Sequence, residues 1–433
     1  MKTLFPLIGC LVLLLAASLN ADDSAPVADS PSVTPADSVT EGALTGTAES
    51  TGIDYPMSPE RYERLVSYSK FVNVWRFVEF FISLAVLAVI LFTGLSARFR
   101  DWTSRIRTGF FALWVYLALF LAADYLLSLP FSIYRNFMVE DSYGFMNQTF
   151  GQWWGEDLLG LLIAAILLIV PFWFLYWLLN RLKHWWLWFS IGAIPFAVLM
   201  MVIVPVVVSP LFNDFGPMKD KQLEAEILTL ANQAGIEGAD VFEVNASKQS
   251  TKINAYVTGL MGTKRIVLYD TLIKSFTRQE IKFVMAHEMG HYLMNHIWWG
   301  LGIAILYIMV ALWLAGRLLP VTISRLKDSL RFERLGDYAS LPLVAAYLSI
   351  FSFVFQPITN FTSRTMEWQS DEYAMRMSGV DGETAATAFD KLSVLNLSDP
   401  DPSALVEFWF YSHPSLKKRM EFARTWQPLE REP

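Results

Sequence analysis

Long apolar stretches alternate with polar segments along the chain. A helix of about 20 residues crosses a hydrocarbon core of about 30 Å, and six stretches approach or reach that length: residues 74–95, 109–129, 158–179, 185–208, 297–319 and 341–356. Two long polar segments, 209–296 and 357–433, follow the fourth and the sixth stretch. The pattern predicts an α-helical multi-pass membrane protein that also carries soluble mass.

The N-terminal region has a different pattern. Residues 1–21 contain Lys2, an apolar run and then small side chains, which fits a secretory signal peptide and fits a first membrane anchor equally well. Residues 22–55 are rich in Ala, Ser, Thr, Pro and acidic residues and contain no Lys or Arg. Such a segment cannot bury enough apolar surface to fold, so it is expected to be a disordered linker.

The composition narrows the class of protein. Of the 433 residues 54% are hydrophobic and only 17% are charged, whereas about 25% are charged in ordinary soluble domains. This excludes a disordered chain, a coiled coil and a typical soluble enzyme. The net charge of −7 argues against a nucleic-acid partner, which would require a basic face. Because Cys10 is the single cysteine, neither an intramolecular disulfide nor a cysteine-built metal site can form.

The charges of the short loops predict the orientation in the membrane. Three loops are rich in basic side chains and alternate so that all can lie on one side: residues 96–108, 180–184 and 317–334. Basic loops stay in the cytoplasm, so both long polar segments are predicted to lie outside it. With the signal-like N-terminus, this favours the bacterial inner membrane, with both long polar segments extracytoplasmic.

The polar segment 209–296 reads as a small α+β unit. Its periodicity predicts a helix over 219–234, strands over 241–244, 255–257 and 265–269, and a helix over 278–295. Thr277 and Glu280 have the spacing of a capping box, and Phe276 and Ile281 that of a hydrophobic staple. The last helix therefore has an explicit start.

This helix carries the motif HExxH, formed by His287, Glu288 and His291. Residues i and i+4 share a helix face, so both imidazoles can bind one zinc ion. Glu288 would then act as general base toward a zinc-activated water. The alternative is a pair of surface histidines on an amphipathic helix, which the cap upstream and the membrane span downstream disfavour. His184 and His296 are expected to lie at the membrane interface, with His296 facing away from the pair.

A catalytic zinc needs a third protein ligand and one open position. Glu367 and Asp371 share a helix face at i and i+4, and two predicted crossings return them to the side of His287. One of them can bind the metal while the other orients a ligand histidine. By spacing alone an ordinary solvated acidic face is the better interpretation; the topology favours the metal site.

The chain closely resembles the CAAX prenyl protease 1 family, integral-membrane zinc metallopeptidases, from about Leu129 to Arg424. The resemblance rests on these motifs, in this order: Leu129-Pro130-Phe131-Ser132-Ile133-Tyr134, Tyr143-Gly144-Phe145-Met146-Asn147-Gln148-Thr149, Ser209-Pro210-Leu211-Phe212, Asn254-Ala255-Tyr256, Lys264 to Leu272, His287 to His291, Ser363-Arg364 with Glu367 and Asp371, and Ser412-His413-Pro414 with Arg419.

The resemblance implies roles for individual residues. His287, His291 and Glu367 would bind zinc, Glu288 would be the catalytic base, and Asp371 would support a ligand from behind. Further residues would act around them: His413 on the oxyanion, Arg364 and Arg419 as buried or substrate-facing cations, and Asn254 and Ala255 on an edge strand that binds the substrate backbone.

The resemblance also implies a fold of six or seven membrane helices around a chamber, with a small α+β zincin-like catalytic domain. We expect an N-terminal membrane domain of the CAAX protease type over 56–208 and a metallopeptidase domain over 209–427 that includes the helices 297–319 and 341–356. The predicted function is a zinc endopeptidase acting on peptide or protein substrates at the lipid bilayer. Two alternatives are a quality-control protease of the heat-shock type and a transporter or scaffold with a structural metal site.

Overall fold

The protein is described by a computed structural model that covers residues 58–259 and 264–427. The predicted signal or anchor (1–21) and linker (22–55) lie outside the described residues. The first half is helical: α1 (Pro59–Phe92), α2 (Leu95–Thr103), α3 (Gly109–Ser132), α4 (Phe150–Arg181) and α5 (Trp185–Ile203). A π-helical segment and a final turn extend α3 to Ser142, and α5 continues in the same way to Leu211.

The second half mixes helices with one small sheet. In chain order it contains β1 (Phe215–Pro217), α6 (Lys221–Gln233), β2 (Asp240–Val244), β3 (Ala255–Thr258), β4 (Arg265–Tyr269), α7 (Asp270–Ser275), α8 (Arg278–Leu293), α9 (His296–Leu330), α10 (Leu341–Met377), α11 (Gly382–Leu395), α12 (Ala404–Phe410) and α13 (Leu416–Thr425). Within the described part of the chain, six helices are long and apolar enough to cross a membrane: α1, α3, α4, α5, α9 and α10. The six predicted spans are therefore confirmed as helices.

The sheet has the strand order β1-β2-β4-β3. β2 and β4 are parallel, and the other two pairs are antiparallel. β3 is thus an edge strand, and it lies against α8. The three longer strands were predicted; β1 was missed because a three-residue strand with Gly216 and Pro217 has no strand-like pattern.

The predicted start of α8 is confirmed by its hydrogen bonds. The backbone N–H of Thr277 donates to Oε2 of Glu280 (2.7 Å), and the N–H of Glu280 donates to Oγ1 of Thr277 (3.4 Å). Phe276 and Ile281 are both buried. The box fixes where α8 begins, and hence which face of the helix carries the two motif histidines inward.

α10 connects the membrane to the soluble region. The predicted span 341–356 continues without a break to Met377, so one helix both crosses the membrane and carries Glu367 and Asp371. α8 packs closely on it. A Cβ on Gly290 would lie 3.3 Å from Cα of Ser370, a tight contact that only glycine avoids. This close approach sets the separation between the two helices.

Candidate metal centre

The structure brings His287, His291 and Glu367 together in a buried cluster. The two Nε2 atoms are 3.1 Å apart. Nε2 of His287 lies 3.2 Å from Oε2 of Glu367, and Nε2 of His291 lies 3.2 Å from Oε1. The two Nε2 atoms and the Glu367 carboxylate thus face one point, where a single cation could contact all three side chains.

The donor set fits a divalent metal. Oε2 of Glu367 is buried and has no well-aligned hydrogen bond from the described residues, although Nε2 of His287 lies 3.2 Å and a terminal nitrogen of Arg419 3.3 Å away. A buried carboxylate oxygen is costly unless a partner satisfies it. Two imidazole nitrogens with one carboxylate oxygen form a common catalytic zinc set. The arrangement therefore matches a metal ion better than it matches a protein-only hydrogen-bond network.

Glu367 and Asp371, which their spacing alone could not tell apart, contact opposite sides of the cluster. Oδ1 of Asp371 lies 2.9 Å from Nδ1 of His287. Arg419 donates to the same carboxylate twice, from Nε (2.8 Å) and from a terminal nitrogen (2.6 Å). Glu367 therefore faces the metal side of the histidines, whereas Asp371 holds His287 from behind.

Charge and burial act differently on the two histidines. Burial alone would lower the pKa of His287, but the Glu367 and Asp371 carboxylates raise it to about 10. At His291 burial prevails over the Glu367 carboxylate, and the pKa lies below its ordinary value. In the metal-free protein a proton on His287 thus takes the place of a cation between the carboxylates.

A cleft of about 150 Å³ opens beside the cluster, and Glu288, His413, Asn254 and Ala255 all line it. Nε2 of His413 lies 3.3 Å from Oε1 of Glu367, and its Nδ1 lies 2.9 Å from Oγ of Ser412. Asn254 directly precedes the edge strand β3, which Ala255 begins. The residues predicted for catalysis and for substrate binding therefore share one cleft with the cluster.

Arg364 is not among the described residues that line this cleft. It is half-buried, and its Nη1 donates to the backbone carbonyls of Glu407 (3.0 Å) and Tyr411 (2.6 Å). Asn360 donates to the carbonyl of Trp409 (2.6 Å), and Arg76 of α1 donates to that of Phe410 (3.1 Å). These side chains fix the C-terminal end of α12, from which the chain leads directly to His413.

The expectation that His296 faces away from the histidine pair is wrong. Its side chain is only 6% exposed, and its Nδ1 lies 3.0 Å from Nδ1 of His291. A continuous helix would turn residue i+5 about 140° away from residue i. Instead α8 ends at Leu293, and Asn295 takes a left-handed conformation (φ 58°) before α9 begins. Asparagine tolerates this conformation; Asn295 was the one sequence signal for the turn. His184 is exposed at the start of α5.

A buried His-His-Glu cluster, a cleft with a second glutamate and a frame of membrane-length helices together define a membrane metallopeptidase. Two family models match the chain. One describes peptidase family M48 and covers residues 217–427; the other describes the CAAX prenyl protease N-terminal region with five membrane helices and covers residues 51–214.

Individual relatives agree. A metalloprotease described as uncharacterized, YhfN of Bacillus subtilis, is 32% identical over 85% of this chain and 86% of its own length. CAAX prenyl protease 1 of Saccharomyces cerevisiae is 30% identical over 70% of each chain. The crystal structure of Ste24p from S. mikatae covers 97% of this chain and 98% of its own, with a TM-score of 0.74 at 22% identity, which shows the shared fold.

The chain belongs to peptidase family M48, within the CAAX prenyl protease 1 group. The predicted fold class is confirmed: membrane helices around a chamber, with a small sheet-containing catalytic region. The predicted function is confirmed at the level of an integral-membrane metalloendopeptidase that acts on peptide or protein substrates. The heat-shock type and the transporter or scaffold are not favoured.

Proposed function

We propose that this enzyme uses one Zn²⁺, held by His287, His291 and Glu367, to hydrolyse peptide bonds with Glu288 as general base. The observation that carries the proposal is the convergence of the three donors on one buried point beside a cleft lined by Glu288. When bound, zinc supplies Lewis acidity, which acidifies water and polarises a carbonyl group.

The remaining chemistry falls to side chains of the cleft. The Glu288 carboxylate takes a proton from the attacking water and passes it to the leaving amine. His413, which lines the same cleft, donates a hydrogen bond to the oxyanion of the tetrahedral intermediate. Asp371 and Arg419 keep His287 in the tautomer that leaves its Nε2 lone pair free.

The substrate is proposed to be an extended, membrane-associated peptide segment. β3 is an edge strand, so its outer edge can pair with an added strand. Asn254 and Ala255, where this strand begins, line the cleft. The lining of the cleft also includes Val72, Asn73 and Arg76 of α1, a membrane-length helix. A segment that leaves the bilayer along α1 would thus enter the cleft that Glu288 lines.

We also propose that the enzyme lies in a bacterial inner membrane with its catalytic side outside the cytoplasm. The chain is proposed to divide into a domain over 56–208 and a domain over 209–427. The basic loops support this orientation. Two exposed residues can report on the two sides: Arg107, which follows α2, and Lys221, the first residue of α6. In intact cells, an impermeant thiol reagent should label a Lys221→Cys variant, whereas Arg107→Cys should react only after permeabilisation. The reverse labelling would refute the orientation.

Substitution of the proposed base tests the mechanism. Glu288→Gln should retain zinc and lose peptide hydrolysis, so substrates should accumulate on it in native membranes. The matched control is Glu372→Gln, because Glu372 is an exposed residue of α10 paired with Arg376. Glu367→Ala should instead lose zinc, as measured by elemental analysis. Wild-type hydrolysis by Glu288→Gln, or a wild-type zinc content in Glu367→Ala, would contradict the proposal.

A further inference from the structure

The imidazole of His296 packs against the back of His291, on the side away from the metal cluster. The two Nδ1 atoms are 3.0 Å apart, and the ring centroids are 5.0 Å apart at 72°. On its far side, Nε2 of His296 lies 3.0 Å from Oε1 of Gln369 on α10. A chain of three polar side chains thus runs from the exposed rim of α10 to the buried cluster.

We propose that His296 is a positioning residue that fixes the tautomer and ring orientation of His291 for metal binding. The inference rests on the proposed function, because it assumes that His291 binds zinc through Nε2. It gives a role to a residue that the HExxH motif does not include.

The protons in this chain can be placed one after another. The amide oxygen of Gln369 only accepts hydrogen bonds, so Nε2 of His296 is the donor. A neutral imidazole carries one proton, so Nδ1 of His296 accepts. The Nδ1–H of His291 therefore donates to it, and Nε2 of His291 keeps its lone pair. That lone pair faces Nε2 of His287 (3.1 Å) and Oε1 of Glu367 (3.2 Å).

The two histidines of the cluster are thus held by different partners. His287 is backed by the Asp371 carboxylate at 2.9 Å, whereas His291 is backed by a neutral imidazole. A second carboxylate behind His291 would add negative charge to a site that already contains Glu367 and Asp371. A neutral acceptor orients the ring without that charge, which is why an imidazole suits this position.

The backbone is built to make this contact. Asn295, in the left-handed conformation, lies between the end of α8 and the start of α9, and His296 is the first residue of α9. The first turn of a helix leaves its backbone N–H groups unpaired within the helix, so this junction has a cost that a continuous helix would avoid. The compensation is that His296 is turned inward, where it is buried.

The rate of zinc transfer from the purified full-length protein to a chromophoric chelator tests the inference. His296→Leu removes the acceptor and should accelerate transfer by about tenfold or more, as loss of such supporting contacts commonly does. His296→Asn can place an amide oxygen near the position of Nδ1 and should stay close to the wild-type rate. His184→Leu, at an exposed histidine, is the control and should not change it.

A wild-type rate in His296→Leu, or equal rates in His296→Leu and His296→Asn, would overturn the inference. If His296→Leu does not fold, variants of the exposed Gln369 test the inference instead. Gln369→Leu should lose zinc faster than the wild-type protein, by roughly tenfold, the lower end of the effect expected for such supporting contacts. Gln369→Glu still accepts a hydrogen bond and should keep the wild-type rate of zinc loss. Equal rates for the two Gln369 variants would also overturn the inference. A wild-type chain that takes up no zinc would instead refute the proposed function.

Discussion

Nδ1 of His287 lies 2.9 Å from Oδ1 of Asp371, and this contact joins the HExxH helix to the helix that crosses the membrane. Arg419 donates two hydrogen bonds to the same carboxylate and lies 4.4 Å from the centre of the Phe389 ring. All three polar side chains are buried. A ligand orientation is therefore held by a fully desolvated ion pair, which is strongly disturbed when one partner is removed.

Asp371→Asn is expected to lower zinc affinity by about tenfold to a hundredfold. A neutral amide orients the His287 imidazole less firmly than a carboxylate does, and it leaves the imidazole a weaker base. The measurement is the zinc content after dialysis against a graded series of chelator concentrations. Asp328→Asn, at an exposed residue near the end of α9, is the control. Identical retention curves for the Asp371 variant and the wild-type protein would show that the contact does not support the ligand.

Gly290→Val is expected to separate α8 from α10. The new side chain would meet Cα of Ser370 and the ring of Tyr373, both within 3.3 Å of its Cβ, and such overpacking costs about 1–3 kcal/mol. Because the two histidines lie on α8 and Glu367 lies on α10, zinc occupancy should fall with stability. Gly302→Val is the control, since nothing lies within 4 Å of a Cβ there. Thermal unfolding and metal analysis check both effects; equal values for the two variants would contradict the prediction.

The local parts of the site could be predicted from sequence. The capping box and the i, i+4 spacing of His287 and His291 depend only on helix geometry. Helix geometry alone could not decide between Glu367 and Asp371, since that choice depends on how closely α8 approaches α10 at Gly290; only the family resemblance implied it. His296 was misplaced because one backbone conformation, at Asn295, redirects the chain. Arg76 was missed because it binds a backbone carbonyl, a partner that has no sequence signature.

Arg364→Gln is expected to lower kcat while the zinc content stays at the wild-type level. The guanidinium holds the carbonyls of Glu407 and Tyr411, so its loss frees the segment that leads to His413 but leaves the three metal ligands in place. Arg376→Gln, which removes an exposed partner of Glu372, is the control and should leave kcat unchanged. A parallel loss of zinc and activity in Arg364→Gln would show that Arg364 acts on the metal site itself.

Zinc binding to the metal-free protein is expected to release a proton at neutral pH. Without metal, the carboxylates of Glu367 and Asp371 raise the pKa of His287 to about 10 against the effect of burial, so the imidazole is protonated at pH 7. A ligand nitrogen must give up that proton, and binding therefore becomes tighter as pH rises toward 10 and weaker as it falls. Titration calorimetry in buffers of different ionisation enthalpy measures the released proton directly. Asp371→Asn should release less, because it removes one of the two charges that hold the proton on His287; an enthalpy independent of the buffer would contradict the prediction.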